Sequence, residues 1–282
     1  METFRIIGVP EHFNYPFRIL AESQPFKKDG ILISWKEESR GSGQMALDLK
    51  NGEVDMALLL TESFMKEFDA GSPFKMLGLY VESPLVWGIH VNPNHQADQI
   101  NEIESRHFLV SRMGSGSHLM ALVLADSLGW EKESLTFEIV GNLDGAKKAF
   151  QAGNPGIFLW EKYTTSPEVK ANHMKRVGEI PSPWPCFVMA ISKETIEKFP
   201  KFIFQLREYI YSITSNLKTE TTLSQTLAKE YQLDPEDVKS WLNQTEWAKS
   251  PEISYEDFDR NILKMMGFEI ISKKINPKNL LV

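Results

Sequence analysis

Residues 40–60 read Arg40-Gly41-Ser42-Gly43-Gln44-Met45-Ala46-Leu47-Asp48-Leu49-Lys50-Asn51-Gly52-Glu53-Val54-Asp55-Met56-Ala57-Leu58-Leu59-Leu60, and this stretch decides the fold class. Its glycine-rich start opens a helix whose interior is residues 45–50. Gly52 follows where a left-handed C-terminal cap is expected, because a residue without Cβ takes positive φ at little cost. Residues 54–60 are then a near-continuous apolar run, the pattern of a strand covered on both faces. Upstream, residues 4–9 form a short apolar strand, residues 17–23 a helix and residues 31–35 a second strand. Strand, helix and strand at this spacing imply parallel strands joined by crossovers.

Downstream, two strands at residues 75–80 and 85–91 flank Glu82-Ser83-Pro84, and Asn92-Pro93-Asn94-His95 breaks the pattern. A second α/β unit begins there. Residues 108–110 are a strand, and Ser111-Arg112-Met113-Gly114-Ser115-Gly116-Ser117-His118 leads into an apolar helix closed by Gly129. A strand at 135–140, a helix at 144–152 and a strand at 156–160 follow. After the proline-rich 181–185, residues 187–191 are one more apolar strand, and from Ser192 the chain is mostly helical. Asp234 with Pro235, and Ser254 with Asp257, are helix starts. The changes near residues 92 and 185 divide the chain into a discontinuous lobe I (1–90 and 186–282) and an inserted lobe II (91–185). A hinge is expected near residues 88–92 and 183–188.

The bulk numbers exclude several classes. A chain of 282 residues with 42% hydrophobic residues buries a sizeable core without disulfides or metal. A net charge of −7, with no long basic run, argues against a nucleic-acid partner. No run of apolar residues reaches the ~18 needed to span a membrane. The single cysteine, Cys186, cannot pair within the chain and reads as a small buried apolar residue. Neither His-x-x-x-His nor His-Glu-x-x-His occurs, so no metal site and no cofactor are expected. No basic segment, apolar stretch and cleavage site stand ahead of the first strand, so a cytoplasmic location is expected.

The helix followed by Asn51-Gly52-Glu53-Val54-Asp55-Met56-Ala57, the helix opening at Gly114-Ser115-Gly116-Ser117-His118, the strand end Phe158-Leu159-Trp160-Glu161 and the late return strand resemble the type II periplasmic-binding-protein family. These are the solute-binding components of ABC transporters. The likeness is to the branch with nitrate, sulfonate and taurine binders and the thiamine-pyrimidine binding and synthase proteins, over roughly residues 4–245. It implies an α/β protein of two lobes, each with a mixed sheet, joined by a two-strand hinge. The synthases carry a cysteine-rich motif that a chain with only Cys186 lacks.

Ligands of open α/β sheets gather beyond the carboxyl ends of strands and at helix N-termini. Four places qualify. His12, Phe13 and Asn14 follow the first strand. Gly41, Ser42 and Gln44 open the first glycine-rich helix. Ser115, Gly116, Ser117 and His118 open the apolar helix and offer hydroxyls and free amides to an anion. Thr61, Glu62, Ser83, Trp87, Trp160, Glu161 and Trp184 sit at strand ends, where a tryptophan can stack on a ring and a glutamate can bind an amine. The expected function is a binding protein, monomeric or weakly dimeric, that closes on a small organic anion or heteroaromatic metabolite. The other open reading is a cytoplasmic enzyme of cofactor or vitamin metabolism on the same scaffold, for which no residue spacing is diagnostic and no catalytic residue is assigned.

Overall fold

The computed structural model describes all of residues 1–282. The first unit comprises β1 (Glu2–Gly8), α1 (Tyr15–Ser23), β2 (Ile31–Glu37), α2 (Ser42–Lys50), β3 (Met56–Leu60) and α3 (Thr61–Asp69). A long strand β4 (Phe74–Val91) leads to the second unit. That unit holds β5 (His107–Val110), α4 (Gly116–Ser127), β6 (Thr136–Ile139), α5 (Leu143–Gln151), β7 (Ile157–Glu161) and α6 (Ser166–Lys170). A second long strand, β8 (Lys175–Ser192), returns the chain to the first unit. The helices α7 (Lys193–Lys198), α8 (Phe202–Leu217), α9 (Leu223–Tyr231), α10 (Pro235–Gln244) and α11 (Tyr255–Gly267) complete it.

The strands run in the order β2-β1-β3-β8-β4-β7-β5-β6. In β1, β2 and β3 the strands are parallel, and so are β5, β6 and β7. Each trio has its first strand in the middle, and each ends against an antiparallel long strand, β3 on β8 and β7 on β4. The two units are therefore topological copies, although no repeat is visible in the sequence. Strand β3 is buried on both faces, which its apolar run required.

Local chemistry explains the deciding stretch. Gly52 takes φ +69° just past α2, as a left-handed cap needs. Asp55 accepts from the Arg5 backbone N–H at 2.7 Å and from its guanidinium at 2.9 Å twice, so β1 is pinned beside β3. Ser42 Oγ accepts from the Leu60 N–H at 3.0 Å and ties the start of α2 to the end of β3. The second unit repeats the device: Ser117 Oγ accepts from the Ser111 N–H at 3.0 Å, tying α4 to the end of β5.

Two sequence expectations change. Residues 75–80 and 85–91 are one 18-residue strand, and residues 187–191 are the end of another. Each strand is long because it crosses from one unit to the other, so the two sheets join through β4 and β8. The ladder between them is irregular at several places from Met76 to Val86 and again between Ile89 and His90, and Pro84 stands opposite Pro185. Neither proline has an N–H to donate, which loosens the pair at the crossing. Ser182 Oγ replaces one lost bond by accepting from the Leu85 N–H at 3.0 Å. The expected caps form: Asp234 accepts from the Glu236 N–H and Ser254 from the Asp257 N–H. No helix is long and apolar enough to cross a membrane.

Candidate functional site

The main cleft lies where the carboxyl ends of the parallel strands of both units meet the crossing strands. It spans about 560 Å³ of space, part of it open to solvent. Val9 and Glu11 line it after β1, Gly41 and Ser42 at the start of α2, Leu60 at the end of β3 and Ser63 in the first turn of α3. From the other unit come Ser111, Arg112 and Ser115–Ser117 ahead of and in α4, with Trp160 and Glu161 at the end of β7. Leu85, Trp87 and Phe187 of the crossing strands form its floor.

Of the residues expected to bind, the structure gathers Gly41, Ser42, Trp87, Ser115, Gly116, Ser117, Trp160 and Glu161 in this cleft. The rest face elsewhere. His12 is buried against Trp241 with ring centroids 4.1 Å apart, and burial lowers its pKa to about 3, so it is neutral. Phe13 packs on Phe187 and Trp241, and its carbonyl accepts from Tyr80 and from the Trp247 indole. Asn14 donates to the Val9 carbonyl at 2.7 Å. This loop turns inward because α10 brings Trp241 over it, a contact no local pattern announces. Gln44 donates to Asp48, and Thr61 to the Cys186 carbonyl. Ser83 accepts from the Glu246 N–H. His118 accepts from the Gly114 N–H at 3.1 Å and sits edge-on against Phe137. Trp184 is buried and donates to Glu62 at 2.7 Å.

The N-terminus of α4 has the chemistry of an anion seat. Ser115 caps the helix, accepting from the His118 N–H at 3.4 Å. The hydroxyls of Ser111, Ser115 and Ser117 make two mutual contacts, Ser111 with Ser117 at 3.3 Å and Ser115 with Ser117 at 3.0 Å. Those contacts use two of three hydroxyl protons, so one is free for a ligand. The free amides and the helix dipole add about half a positive charge.

Arg112, absent from the expected set, adds a full one. Its half-buried guanidinium pairs with no carboxylate; it reaches across the cleft to the Arg40 carbonyl at 3.4 Å. Burial lowers its pKa, so its charge is held at a cost. The signal was a lone cation between a strand end and a Ser-Gly-Ser helix opening.

Acidic groups line or underlie the same cleft. Glu161 is buried and its Oε2 accepts from the Thr164 N–H at 2.5 Å, while burial raises its pKa. Glu11 is half-buried and its carboxylate has no hydrogen-bond or ion-pair partner; desolvation, then the charge of Glu161, push its pKa to about 8. Glu62, buried beneath Gly116, is pushed to about 7 by desolvation, opposed by the Trp184 indole. Cys186 lies buried among these carboxyls and its thiol pKa is pushed well up, chiefly by burial. No three histidine, cysteine, aspartate or glutamate side chains are grouped to hold a metal ion.

Residues 87–180 match the family model of Ca3427-like periplasmic binding proteins. The chain is similar in structure to the Candida albicans CA3427 gene product, described as exhibiting the generic periplasmic binding protein fold. The TM-score is 0.87 at 23% identity, over 98% of this chain and 92% of that one. It is also similar to the alkanesulfonate-binding protein SsuA of Xanthomonas axonopodis pv. citri bound to MOPS (TM-score 0.78, 14% identity, 100% of this chain and 98% of that one). The aliphatic sulphonate binding protein SsuA of Escherichia coli gives 0.73 at 16% identity, over 100% and 92%. No curated protein sequence matches the chain.

Proposed function

We propose that this chain, a two-lobed α/β protein of the type II periplasmic-binding-protein fold, binds a small organic anion between its lobes and closes over it. The observation that carries this reading is Arg112: a half-buried guanidinium without a carboxylate partner, beside the N-termini of α2 and α4. A desolvated cation is costly unless something neutralises it, and an anion seated on the α4 amides and serine hydroxyls does so. Trp87, Trp160, Leu60, Leu85 and Phe187 supply apolar walls that suit an organic body behind the charged head. Sulfonate, the group in the names of the SsuA relatives, and carboxylate both fit this seat.

The lobes divide as 1–90 with 186–282 and 91–185, and the proline-marked crossing near residues 84 and 185 acts as the hinge. Contacts already span the cleft: Lys66 donates to the Gly114 carbonyl at 3.4 Å, and Arg112 reaches Arg40. On the far side, Ser166 donates to Asp237 at 2.6 Å and Lys170 bonds Asp234 and Asp237. A ligand that binds both lobes stabilises the closed arrangement by its contacts in that state.

Calorimetry with short alkanesulfonates and alkyl carboxylates tests the reading. Heats of binding that weaken on Arg112→Ala are expected. Binding unchanged by that substitution contradicts it.

A further inference from the structure

We infer that capture of an anion in the cleft is coupled to uptake of a proton by Glu62, the buried carboxyl of one lobe that stands against the α4 opening of the other. The inference rests on the anion-binding clamp proposed above and adds a regulator to that same site.

The placement of Glu62 carries it. The residue is in the first turn of α3, and its Oε2 accepts from the Trp184 indole of β8 at 2.7 Å. Its Oε1 lies 3.3 Å from the point where a β-carbon on Gly116 would stand. Gly116 lines the cleft and begins α4. An anion held by the first amides of that helix is therefore within about 9 Å of this carboxyl, by ordinary bond and hydrogen-bond lengths. At that distance, with the screening of a protein interior, a second negative charge weakens binding by about 10-fold.

The surroundings leave that charge to a proton. Glu62 takes part in no ion pair, and its charge is set by burial, its own backbone and the Trp184 indole. Lys66, one turn along α3, turns to the Gly114 carbonyl at 3.4 Å, and Arg112 feels Glu67. On β8 the Cys186 thiol faces Glu62, Glu11 and Glu161. Beyond Trp184, Phe268 packs on the indole and Lys264 of α11 donates to the Pro183 carbonyl. His118 of α4 is pushed toward its neutral form by burial and then by Lys66, while α2 and β4 bring Ser42 and Trp87, which do not titrate. Burial pushes the Glu62 carboxyl up to about 7, so both of its forms are present in the empty protein near neutral pH. An anion at α4 favours the neutral form and raises that value further. Ligand and proton therefore bind together, and affinity falls as pH rises above about 7.

The experiment titrates ethanesulfonate, whose own charge is fixed across the range, into the full chain. Calorimetry at about pH 6 to 9 gives the affinity, and a pH-stat at low buffer concentration counts protons. Affinity is expected to fall about 10-fold across the range, with roughly half a proton taken up per ligand near pH 7.5. Glu62→Gln should remove the larger part of the uptake and raise the affinity at pH 9 by about 10-fold. Trp184→Phe, which deletes the donor to the ionised carboxyl, should move the fall in affinity to higher pH. Thermal melts confirm folding, and the second variant answers if the first does not fold. Affinity that is independent of pH, or uptake that survives Glu62→Gln intact, overturns the inference and leaves the anion clamp standing. So does uptake lost entirely in Glu11→Gln or His118→Gln. Absence of binding at every pH overturns the clamp and the inference together.

Discussion

The Arg112 guanidinium occupies the space that a β-carbon on Gly43 would need: a methyl there would lie 2.0 Å from Nη2 and 2.3 Å from Cζ. Gly43 belongs to the first turn of α2 in one unit and Arg112 follows β5 in the other, so this glycine is the groove into which the opposite lobe's cation fits. Gly43 has no positive φ, so its absence of side chain serves the contact and not a turn. Gly43→Ala should therefore separate stability from binding. The helix keeps or gains up to ~1 kcal/mol from alanine's propensity. The long arginine swings away, and affinity for alkanesulfonates falls by about 10-fold. Melting temperature and calorimetry on the same variant check both signs.

Removing the cation should act the other way round on the empty protein. Arg112 keeps its charge against desolvation, offset only in part by the charge of Glu67 and by no ion pair, so Arg112→Met should raise the melting temperature of the ligand-free chain. The same variant should lose roughly 1.5–3 kcal/mol of anion binding, the range for hydrogen bonds to charged groups. A variant that is both less stable and unchanged in binding would show that Arg112 is structural.

Glu62 gives the chain a pH dependence. Its carboxyl is 2% exposed and its pKa is raised to about 7 from 4.5. The folded state therefore holds a proton that the unfolded state has released, and stability falls as pH rises from about 4.5 through about 7. The full penalty is roughly 3 kcal/mol, present above the folded value and absent below the unfolded one. Denaturant melts between pH 5 and 8 should show this slope, and Glu62→Gln should make it shallower, the remainder belonging to Glu11 and Glu161, whose carboxyls are raised in the same direction. The glutamine oxygen still accepts from the Trp184 indole, so the variant should fold.

Gly116 is a point of close approach between the walls of the cleft. A β-carbon there would lie 2.8 Å from Leu60 Cδ1 and 3.1 Å from Trp87 Cη2, both held in packed walls. Gly116→Val should hold the lobes apart, weakening binding of every sulfonate probe whatever its far end, with little change in the melting temperature of the empty form. Equal binding by this variant and the parent chain would contradict closure at this point.

The fold was legible because its signals are local and repeated. Gly52 past a helix and an apolar run from Val54 to Leu60 identify a crossover unit in a single pass, and the capped opening at Ser115 identifies the second. The continuity of β4 and β8 was not legible, since proline and polar residues at 82–84 and 181–185 read as turns while a crossing strand tolerates them. Gly41, Ser42, Ser115, Gly116 and Ser117 were legible as cleft residues because a helix start beyond a strand end fixes where its backbone stands. Glu11 and Arg112 were missed because their value depends on what faces them from the other lobe. His12, Phe13 and Asn14 were misplaced for the same reason, since Trp241 and Trp247 arrive from about 230 residues away in the chain and turn that loop into core.

Small-angle scattering of the full chain, with and without a saturating short alkanesulfonate, tests the closing clamp most directly. The account predicts a smaller radius of gyration in the bound form, and loss of that compaction in Arg112→Ala at a concentration that saturates the parent chain. A ligand that binds, by heat or by quenching of the tryptophans, and leaves the radius of gyration unchanged would contradict it.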